Sequence, residues 1–253
     1  MQLVFALLIG IFVGGAAGYL GTLMLSQRMA LVAGPLGHLT LPGVALAFLF
    51  GFDVSLGAFP FVILGVILIW LFEIRTGLPM EALTAIVFAS GVAITFLFLP
   101  EEQTVPALIG DVSQLTLLVT SITLALSVFI LLATKLIYSQ MVLAGISEDL
   151  VKVGGVDLKK YNLVYLVCIA FMVALGVRIV GSLMTAALVA IPACTSRNLS
   201  KNLVQYAYGG LISGSLACAF GILGSTFFPG IPVGPLIIII STIFFLISLI
   251  FKR

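Results

Sequence analysis

The side chain best suited to chemistry in this sequence is His38, which is the chain's one histidine. A neutral imidazole binds zinc and iron and, more weakly, manganese. His38 lies in an apolar run, Met29–Phe50, that two prolines and three glycines interrupt. Because these residue types disfavour a continuous helix, the run is predicted to be a broken span. The interrupting residues are Gly34, Pro35, Gly37, Pro42 and Gly43.

Broken backbone at membrane depth is tolerated only where it is buried in protein or lines a wet cavity. His38 therefore has two interpretations: a metal ligand or gate in a passage, or a histidine bonded to a backbone carbonyl that Pro42 frees. Gly37, Pro42 and Gly43 would shape such a passage. Pro192 has two interpretations as well: it breaks another span and shapes the passage, or it only kinks that span, which is what helix geometry favours.

No enzyme signature accompanies these residues. The sequence has no Walker motif, no Gly-x-Ser-x-Gly and no His-Glu-x-x-His, so we do not expect the chain to hydrolyse ATP. A single histidine excludes a multi-histidine metal cage within one chain. Charged residues sit almost entirely at the ends of apolar runs, which favours a conduit over a membrane enzyme.

Soft donors and an isolated arginine are further candidates. Cys194 and Met184 could bind soft metals, but apolar packing explains both. Arg178 is expected to extend its guanidinium group to the outer surface. Cys168, Cys194 and Cys218 lack the close spacing of a zinc knuckle or a disulfide framework.

Composition identifies an integral membrane protein. Apolar residues make up 62% of the sequence, charged residues 8%, and the mean hydropathy is +1.35. A soluble domain has about 25% charged residues. No polar segment is long enough to enclose a soluble core. We therefore expect one transmembrane domain over residues 1–253, an all-α polytopic bundle of eight or nine transmembrane helices.

Nine apolar runs approach the length of about 20 residues that a transmembrane helix needs. The run Leu163–Ile191 is too long for one crossing, and we divide it near Arg178–Gly181. Gly14, Gly15 and Gly18 provide the first span with a small-residue face for close helix packing. The predicted spans are Leu3–Ser26, Met29–Phe50, Val54–Phe72, Ala82–Leu99, Leu115–Tyr138, Tyr161–Val177, Val180–Ser196, Leu203–Phe227 and Val233–Phe251.

Nine spans place the two termini on opposite sides of the membrane. With the N-terminus outside, ten of the eleven basic residues lie inside and only Arg178 lies outside. The positive-inside rule therefore predicts a multi-pass protein of the cell (inner) membrane with its C-terminus in the cytoplasm. The sixth and seventh spans are short, and a re-entrant hairpin is their alternative arrangement. The acidic residues that fall outside are Asp53, Glu101, Glu102 and Asp111.

The longest polar break between apolar runs is Ile146–Asn162. Its residues predict a short polar helix in a cytoplasmic loop of about residues 139–160, because acids favour the first turn of a helix and glycine its end. The segment is either a solvated loop or a docking element for a soluble partner. The helix signals are Ser147 as N-cap, Glu148 and Asp149 in the first turn, Lys152 in the last turn, and Gly154-Gly155 at the end.

An ordered series of motifs across nearly the whole chain resembles the zinc/manganese/iron ABC transporter permeases. Each motif is short, and it is their order that makes the resemblance specific. The motifs are Gly21-Thr22, Arg28–Leu31, Leu36–Ala47, Thr84–Ala89, Ile109–Asp111, Glu148–Val156, Val180–Leu183, Ala187–Ala193 and Ile231–Pro235.

The resemblance implies a helical importer fold and a homodimeric permease in the lipid bilayer, carrying two ATP-binding cassette ATPase subunits. An extracytoplasmic metal-binding protein would deliver divalent zinc, manganese or iron. The permease itself would be no enzyme, hold no tightly bound cofactor and bind no nucleic acid. The family's coupling helix matches the polar loop, which assigns ATPase coupling to Ser147, Glu148, Asp149, Leu150, Lys152, Gly154 and Gly155.

The sequence departs from the family beside its histidine. Family members usually carry an aspartate four residues before it and a serine immediately before it, where this chain has Gly34 and Gly37. A hard oxygen ligand is thereby lost, which leaves the metal, or a non-metal substrate, open. The alternatives are a secondary transporter, for which acidic residues at mid-membrane are not evident, and a non-transporting scaffold subunit that has lost its site.

Overall fold

The structure, a computed structural model, describes residues 2–29, 33–52, 54–98, 117–147, 151, 158–182, 184–227 and 230–252. Ten α-helices and no strand lie within these ranges, so the all-α prediction is confirmed. The helices are α1 (Gln2–Ser26), α2 (Ala33–His38), α3 (Leu41–Phe50), α4 (Val54–Thr76), α5 (Met80–Phe98), α6 (Leu117–Ile146), α7 (Leu158–Val180), α8 (Thr185–Leu199), α9 (Leu203–Phe227) and α10 (Val233–Ile250).

Within the described ranges, six helices are long and apolar enough to cross a membrane: α1, α4, α6, α7, α9 and α10. Among the other predicted spans, none has an apolar stretch of that length within the side chains that the structure describes. The second run is divided into α2 and α3, α8 has 15 residues, and α5 contributes the shorter apolar stretch Ala82–Thr95. Length and composition therefore support a polytopic helical protein without confirming eight or nine spans.

The predicted break in the second run is confirmed. α2 ends at His38 and α3 begins at Leu41, with Pro42 in its first turn, where a missing N–H costs no helical hydrogen bond. Thr40 is fully buried in the break, and its hydroxyl donates to the Gly37 carbonyl oxygen at 2.6 Å. The Thr40 side chain thus supplies a hydrogen-bond donor at the end of α2, where the last carbonyl groups of a helix lack N–H partners within the helix.

Close crossing of α1 and α9 forms one side of the bundle. A Cβ atom added at Gly18 would lie 2.0 Å from the Gly210 carbonyl oxygen, and one added at Gly214 would lie 2.1 Å from that of Gly14. The two glycine pairs, each at four-residue spacing, therefore face each other backbone to backbone. The predicted packing role of Gly14 and Gly18 is confirmed.

The turn between α7 and α8 confirms the division of the long apolar run. α7 ends at Val180, and Gly181 follows with φ of +86°, a left-handed conformation that favours glycine at a helix end. The Gly181 N–H donates to the Val177 carbonyl oxygen at 2.9 Å, and the Thr185 hydroxyl donates to the Gly181 carbonyl oxygen at 2.7 Å.

The predicted cytoplasmic loop of about residues 139–160 begins and ends in helix. α6 has 30 residues and continues through Ile146, and α7 already begins at Leu158. Tertiary contact explains the longer α6, because Met141 is buried and its carbonyl oxygen accepts a hydrogen bond from the Gln27 side-chain amide at the end of α1. Apolar periodicity alone could not reveal this contact.

Candidate functional site

The short helix α2 lies against the turn between α7 and α8. A Cβ atom added at Gly37 would stand 2.8 Å from the Ser182 carbonyl oxygen and 3.6 Å from Thr185 Cβ. A side chain at this position therefore requires the backbone to move. The contact explains why glycine replaces the serine of the related motif, because serine would bring its Cβ atom into this space.

His38 lies at the end of α2 and is half-buried. Its imidazole ring packs against Phe88 of α5, with 5.5 Å between ring centroids and 49° between ring planes. The next residue, Leu39, is buried. One of its methyl groups would lie 2.6 Å from a Cβ atom added at Gly65 of α4, and the other would lie 2.6 Å from a Cβ atom added at Gly91 of α5. The break thus anchors α2 between α4 and α5 and holds the imidazole near the α5 surface.

Gly34 lies one helical turn before His38, so the two residues share one face of α2. A Cβ atom added at Gly34 would lie 3.4 Å from Ala186 Cβ, which is at the limit of ordinary van der Waals contact. The backbone around Gly34 therefore has room for a small side chain. A carboxylate at this position would stand beside the imidazole.

Gly43 is predicted to shape the passage, and the structure places it where α3 crosses α4. An added Cβ atom would lie 2.0 Å from the Gly57 carbonyl oxygen, and a Cβ atom at Gly57 would lie 2.2 Å from that of Gly43. Pro42, the other predicted shaping residue of this run, begins α3. Both residues thus fix how α3 leaves the break.

Pro192 does not break its span, which rules out the first of the two interpretations of this residue. It is buried within α8, which runs without interruption from Thr185 to Leu199. Neighbouring helices support it: Gly18 leaves space beside its ring, and the Ser213 hydroxyl of α9 donates to its carbonyl oxygen at 3.1 Å. Packing from both sides stabilises a helix that proline would otherwise interrupt.

The described residues of one chain do not assemble a metal site, since they contain no group of three His, Cys, Asp or Glu side chains. Cys218 is fully buried, and its Sγ atom would lie 2.5 Å from a Cβ atom added at Gly14. Cys168 is also buried and Cys194 is half-buried. Apolar packing accounts for Cys218, and His38 stays the predicted candidate ligand.

Of the predicted coupling residues, the structure describes only Ser147, which is half-buried. Its N–H donates to the Leu143 carbonyl oxygen at 3.0 Å, so its amide continues the pattern of α6. The others, Glu148, Asp149, Leu150, Lys152, Gly154 and Gly155, lie outside the described residues.

Sequence reasoning missed two features of this region. One is the Thr40 hydroxyl that closes the break, and the other is the ring of Phe88. The first had no specific sequence signal: threonine before a helix start suggests an N-cap, but the Thr40 hydroxyl makes no capping hydrogen bond to α3 and bonds back to Gly37 instead. The contact with Phe88 had no sequence signal, since it joins helices separated by about fifty residues.

Three comparisons place this chain among known proteins. A family model described as the ABC 3 transport family matches residues 1–252. The high-affinity zinc uptake system membrane protein ZnuB of Buchnera aphidicola is 26% identical, over 96% of this chain and 95% of that protein. The manganese import system permease protein ScaB of Streptococcus parasanguinis is 28% identical, over 96% of this chain and 88% of that protein.

A solved structure matches the arrangement of the helices. In the structure of PsaBC from Streptococcus pneumoniae in complex with Fab, one chain superposes with a TM-score of 0.80 at 25% sequence identity. The match covers 96% of this chain and 89% of that chain. The likeness therefore extends to the fold over nearly the whole length.

Proposed function

The chain belongs to the ABC 3 transport family, and we propose that it is the membrane-spanning permease subunit of an ATP-driven importer of a divalent transition metal. The family match across the chain carries this proposal. The similarity to zinc and manganese import proteins favours these two metals, and iron is the third candidate. ATP hydrolysis belongs to a separate ATPase subunit, because the sequence contains no ATP-binding signature.

The assembly that fits this role is a homodimer of the permease with two ATPase subunits and an extracytoplasmic metal-binding protein. In such a dimer, two copies of His38 approach across the pathway and supply two nitrogen ligands. Support comes from the position of His38 in the α2–α3 break and from the absence of a three-residue ligand group among the described residues. Two nitrogen ligands bind a metal loosely, which suits passage through alternating access.

ATPase coupling is assigned to the loop between α6 and α7, at Ser147, Glu148, Asp149, Leu150, Lys152, Gly154 and Gly155. The support is the order of charges and glycines in the sequence, with acids at the start and a glycine pair at the end. A short helix with this pattern presents a polar surface to a groove on an ATPase.

The proposed topology is one domain of eight or nine spans over residues 1–253, and the nine-span arrangement places the N-terminus outside and the C-terminus inside. Charge distribution supports this orientation, because it leaves only Arg178 as an external basic residue. The adjacent ends of α1 and α6 are consistent with it, since the Gln27 side chain bonds to Met141 and both ends are predicted to lie inside.

The function is tested by metal uptake into vesicles that contain the permease, its ATPase subunits and the binding protein. We expect uptake of zinc or manganese that requires ATP, because the energy comes from the ATPase subunits. Replacement of Gly154 and Gly155 by leucine should extend or misdirect the coupling helix. This variant is expected to remain folded in the membrane while metal-stimulated ATP hydrolysis falls by about tenfold, following the steep effect of misplaced groups.

Vesicles without ATPase subunits are the control for leak, and Gly224→Leu is the control for an added side chain, because no atom lies within 4 Å of a Cβ atom at Gly224. Uptake driven by an ion gradient alone would identify a secondary transporter instead. If the intact complex takes up none of the tested metals, the result would favour the alternative of a non-transporting scaffold subunit. If metal-stimulated ATP hydrolysis is unchanged in the double-leucine variant, the loop between α6 and α7 only connects the two helices and has no role in coupling.

The orientation is tested by reporter fusions at both termini. We expect an N-terminal reporter to be active outside and a C-terminal reporter inside, because the positive-inside rule orients the basic residues toward the cytoplasm. If both reporters are active on the same side, the number of crossings is even and the assignment of α7 and α8 as separate crossings is wrong.

A further inference from the structure

A polar cavity of about 700 Å³ opens where α8 ends, α9 begins and α10 ends. Its polar lining comes from all three helices and their ends. The residues are Thr195, Ser196, Ser200, Lys201, Gln205, Ser213 and Lys252. In the proposed topology this end of the bundle faces the cytoplasm.

An apolar cleft of about 350 Å³ adjoins the polar cavity and runs along α9 and α10. Ile212 and Leu216 of α9 and Ile247 of α10 line it and are exposed. Cavity and cleft share lining residues, so they form one continuous amphipathic surface, which we call the α8–α10 groove. The shared residues are Thr195, Leu199, Gly209, Ser213 and Phe251.

The charged side chains among the described lining residues of the groove, Lys201 and Lys252, are both basic. Residues 158–253 contain no aspartate or glutamate, so α8, α9 and α10 offer no acidic side chain to Lys201 or Lys252. The serine hydroxyls at the polar end already donate to carbonyl oxygens, Ser196 to Tyr206 at 2.7 Å and Ser200 to Ser196 at 2.6 Å. The two ammonium groups are therefore the charged donors that the groove presents.

We propose that the α8–α10 groove binds an anionic phospholipid. Lys201 and Lys252 hold the headgroup phosphate, and one acyl chain lies along the exposed side chains of Ile212, Leu216 and Ile247. Basic side chains at the cytoplasmic surface attract anionic lipid. The apolar cleft supplies the surface that a lipid tail covers, on two helices that are themselves candidate membrane spans.

Other occupants fit the groove less well. A soluble anion would use only the polar end, and a neutral lipid would leave the two lysines without a counter-charge. A second copy of the chain, seated here by two-fold symmetry, would bring the same lysines toward each other. A soluble partner fits the cleft poorly, because the cleft runs along two helices that are candidate membrane spans. The proposal is independent of which substrate the permease carries.

The test uses the detergent-purified complex of permease and ATPase subunits, with bound lipid counted by native mass spectrometry. Dioleoyl phosphatidylglycerol is expected to bind more tightly than dioleoyl phosphatidylcholine. Lys201→Gln combined with Lys252→Gln should weaken phosphatidylglycerol binding by about thirtyfold, because each basic side chain at a membrane surface contributes about fivefold and the two factors multiply. Phosphatidylcholine binding should not change.

The charge-matched control is Arg75→Gln with Lys135→Gln, two exposed basic residues outside the groove, and it should alter binding by less than about twofold. The acyl-chain site is tested by Leu216→Trp, which narrows the cleft and should weaken binding. Leu223→Trp is its control on the same helix, because Leu223 lies outside the cleft.

Four results would overturn the proposal. Equal affinity for both lipids, or unchanged phosphatidylglycerol binding by the double-glutamine variant, would show that Lys201 and Lys252 do not select an anionic headgroup. Displacement of phosphatidylglycerol by millimolar inorganic phosphate would identify a site for a soluble anion. A Phe251→Cys variant that forms disulfide-linked permease dimers, where the parent protein does not, would show that a second copy covers the groove.

Discussion

Vesicles that contain the His38→Ala complex are expected to lose uptake of zinc, manganese and iron by more than about tenfold, with the complex still assembled. Even outer partners of metal ligands cost about 10- to 100-fold in metal affinity when they are mutated. His38 carries the chain's one imidazole and lies beside the break between α2 and α3. Uptake of each metal is measured separately, and assembly is measured by size-exclusion chromatography of the purified complex.

Phe88→Leu distinguishes a ligand from a structural histidine. The two rings pack together at 5.5 Å, so a purely structural role predicts similar losses from His38→Ala and Phe88→Leu. A ligand role predicts that Phe88→Leu, which retains the imidazole, keeps most of the uptake. Normal uptake of all three metals by His38→Ala would remove His38 from the site.

Gly34→Asp is the companion variant, because it restores the carboxylate of the related motif. Ala186 Cβ would lie 3.4 Å from the new Cβ atom, so the variant is expected to fold. An oxygen ligand one turn before His38 should tighten metal binding or change the order of preference among zinc, manganese and iron. An unchanged order and affinity in a folded variant would contradict the placement of this face of α2 on the pathway.

Gly18→Leu is expected to lower the yield of folded permease by about tenfold or more. A Cβ atom at Gly18 would stand 2.0 Å from the Gly210 carbonyl oxygen, so α1 and α9 must separate to admit it. Overpacking costs about 1–3 kcal/mol and occasionally more, and about 1.4 kcal/mol corresponds to a tenfold change. The yield is measured as the monodisperse fraction after extraction from the membrane.

Gly224→Leu is the matched control for this second prediction, since it adds the same side chain to α9 where no atom lies within 4 Å. It should retain the parental yield. A Gly210→Leu variant should behave like Gly18→Leu, because a Cβ atom there would lie 2.6 Å from the Gly18 carbonyl oxygen. Parental yields for both crossing variants would show that the two helices do not depend on this close approach.

The sequence by itself determined the class of protein, the broken second run and the division of the long apolar run near Gly181. These features are local. The hydrophobic effect acts on each apolar run separately, proline removes a hydrogen-bond donor wherever it stands, and glycine alone readily adopts the positive φ seen at Gly181. The small-residue face of α1 was also readable, because small residues at four-residue spacing lie on one side of a helix.

Only the tertiary structure decided where α6 ends, whether Pro192 interrupts α8 and which side chain faces His38. Each outcome depends on a partner distant in sequence: Gln27 for α6, Ser213 for Pro192 and Phe88 for His38. The α8–α10 groove likewise joins Lys201 to Lys252 across an intervening helix pair. Such contacts form when helices pack, and helical periodicity carries no information about which distant residue will be opposite.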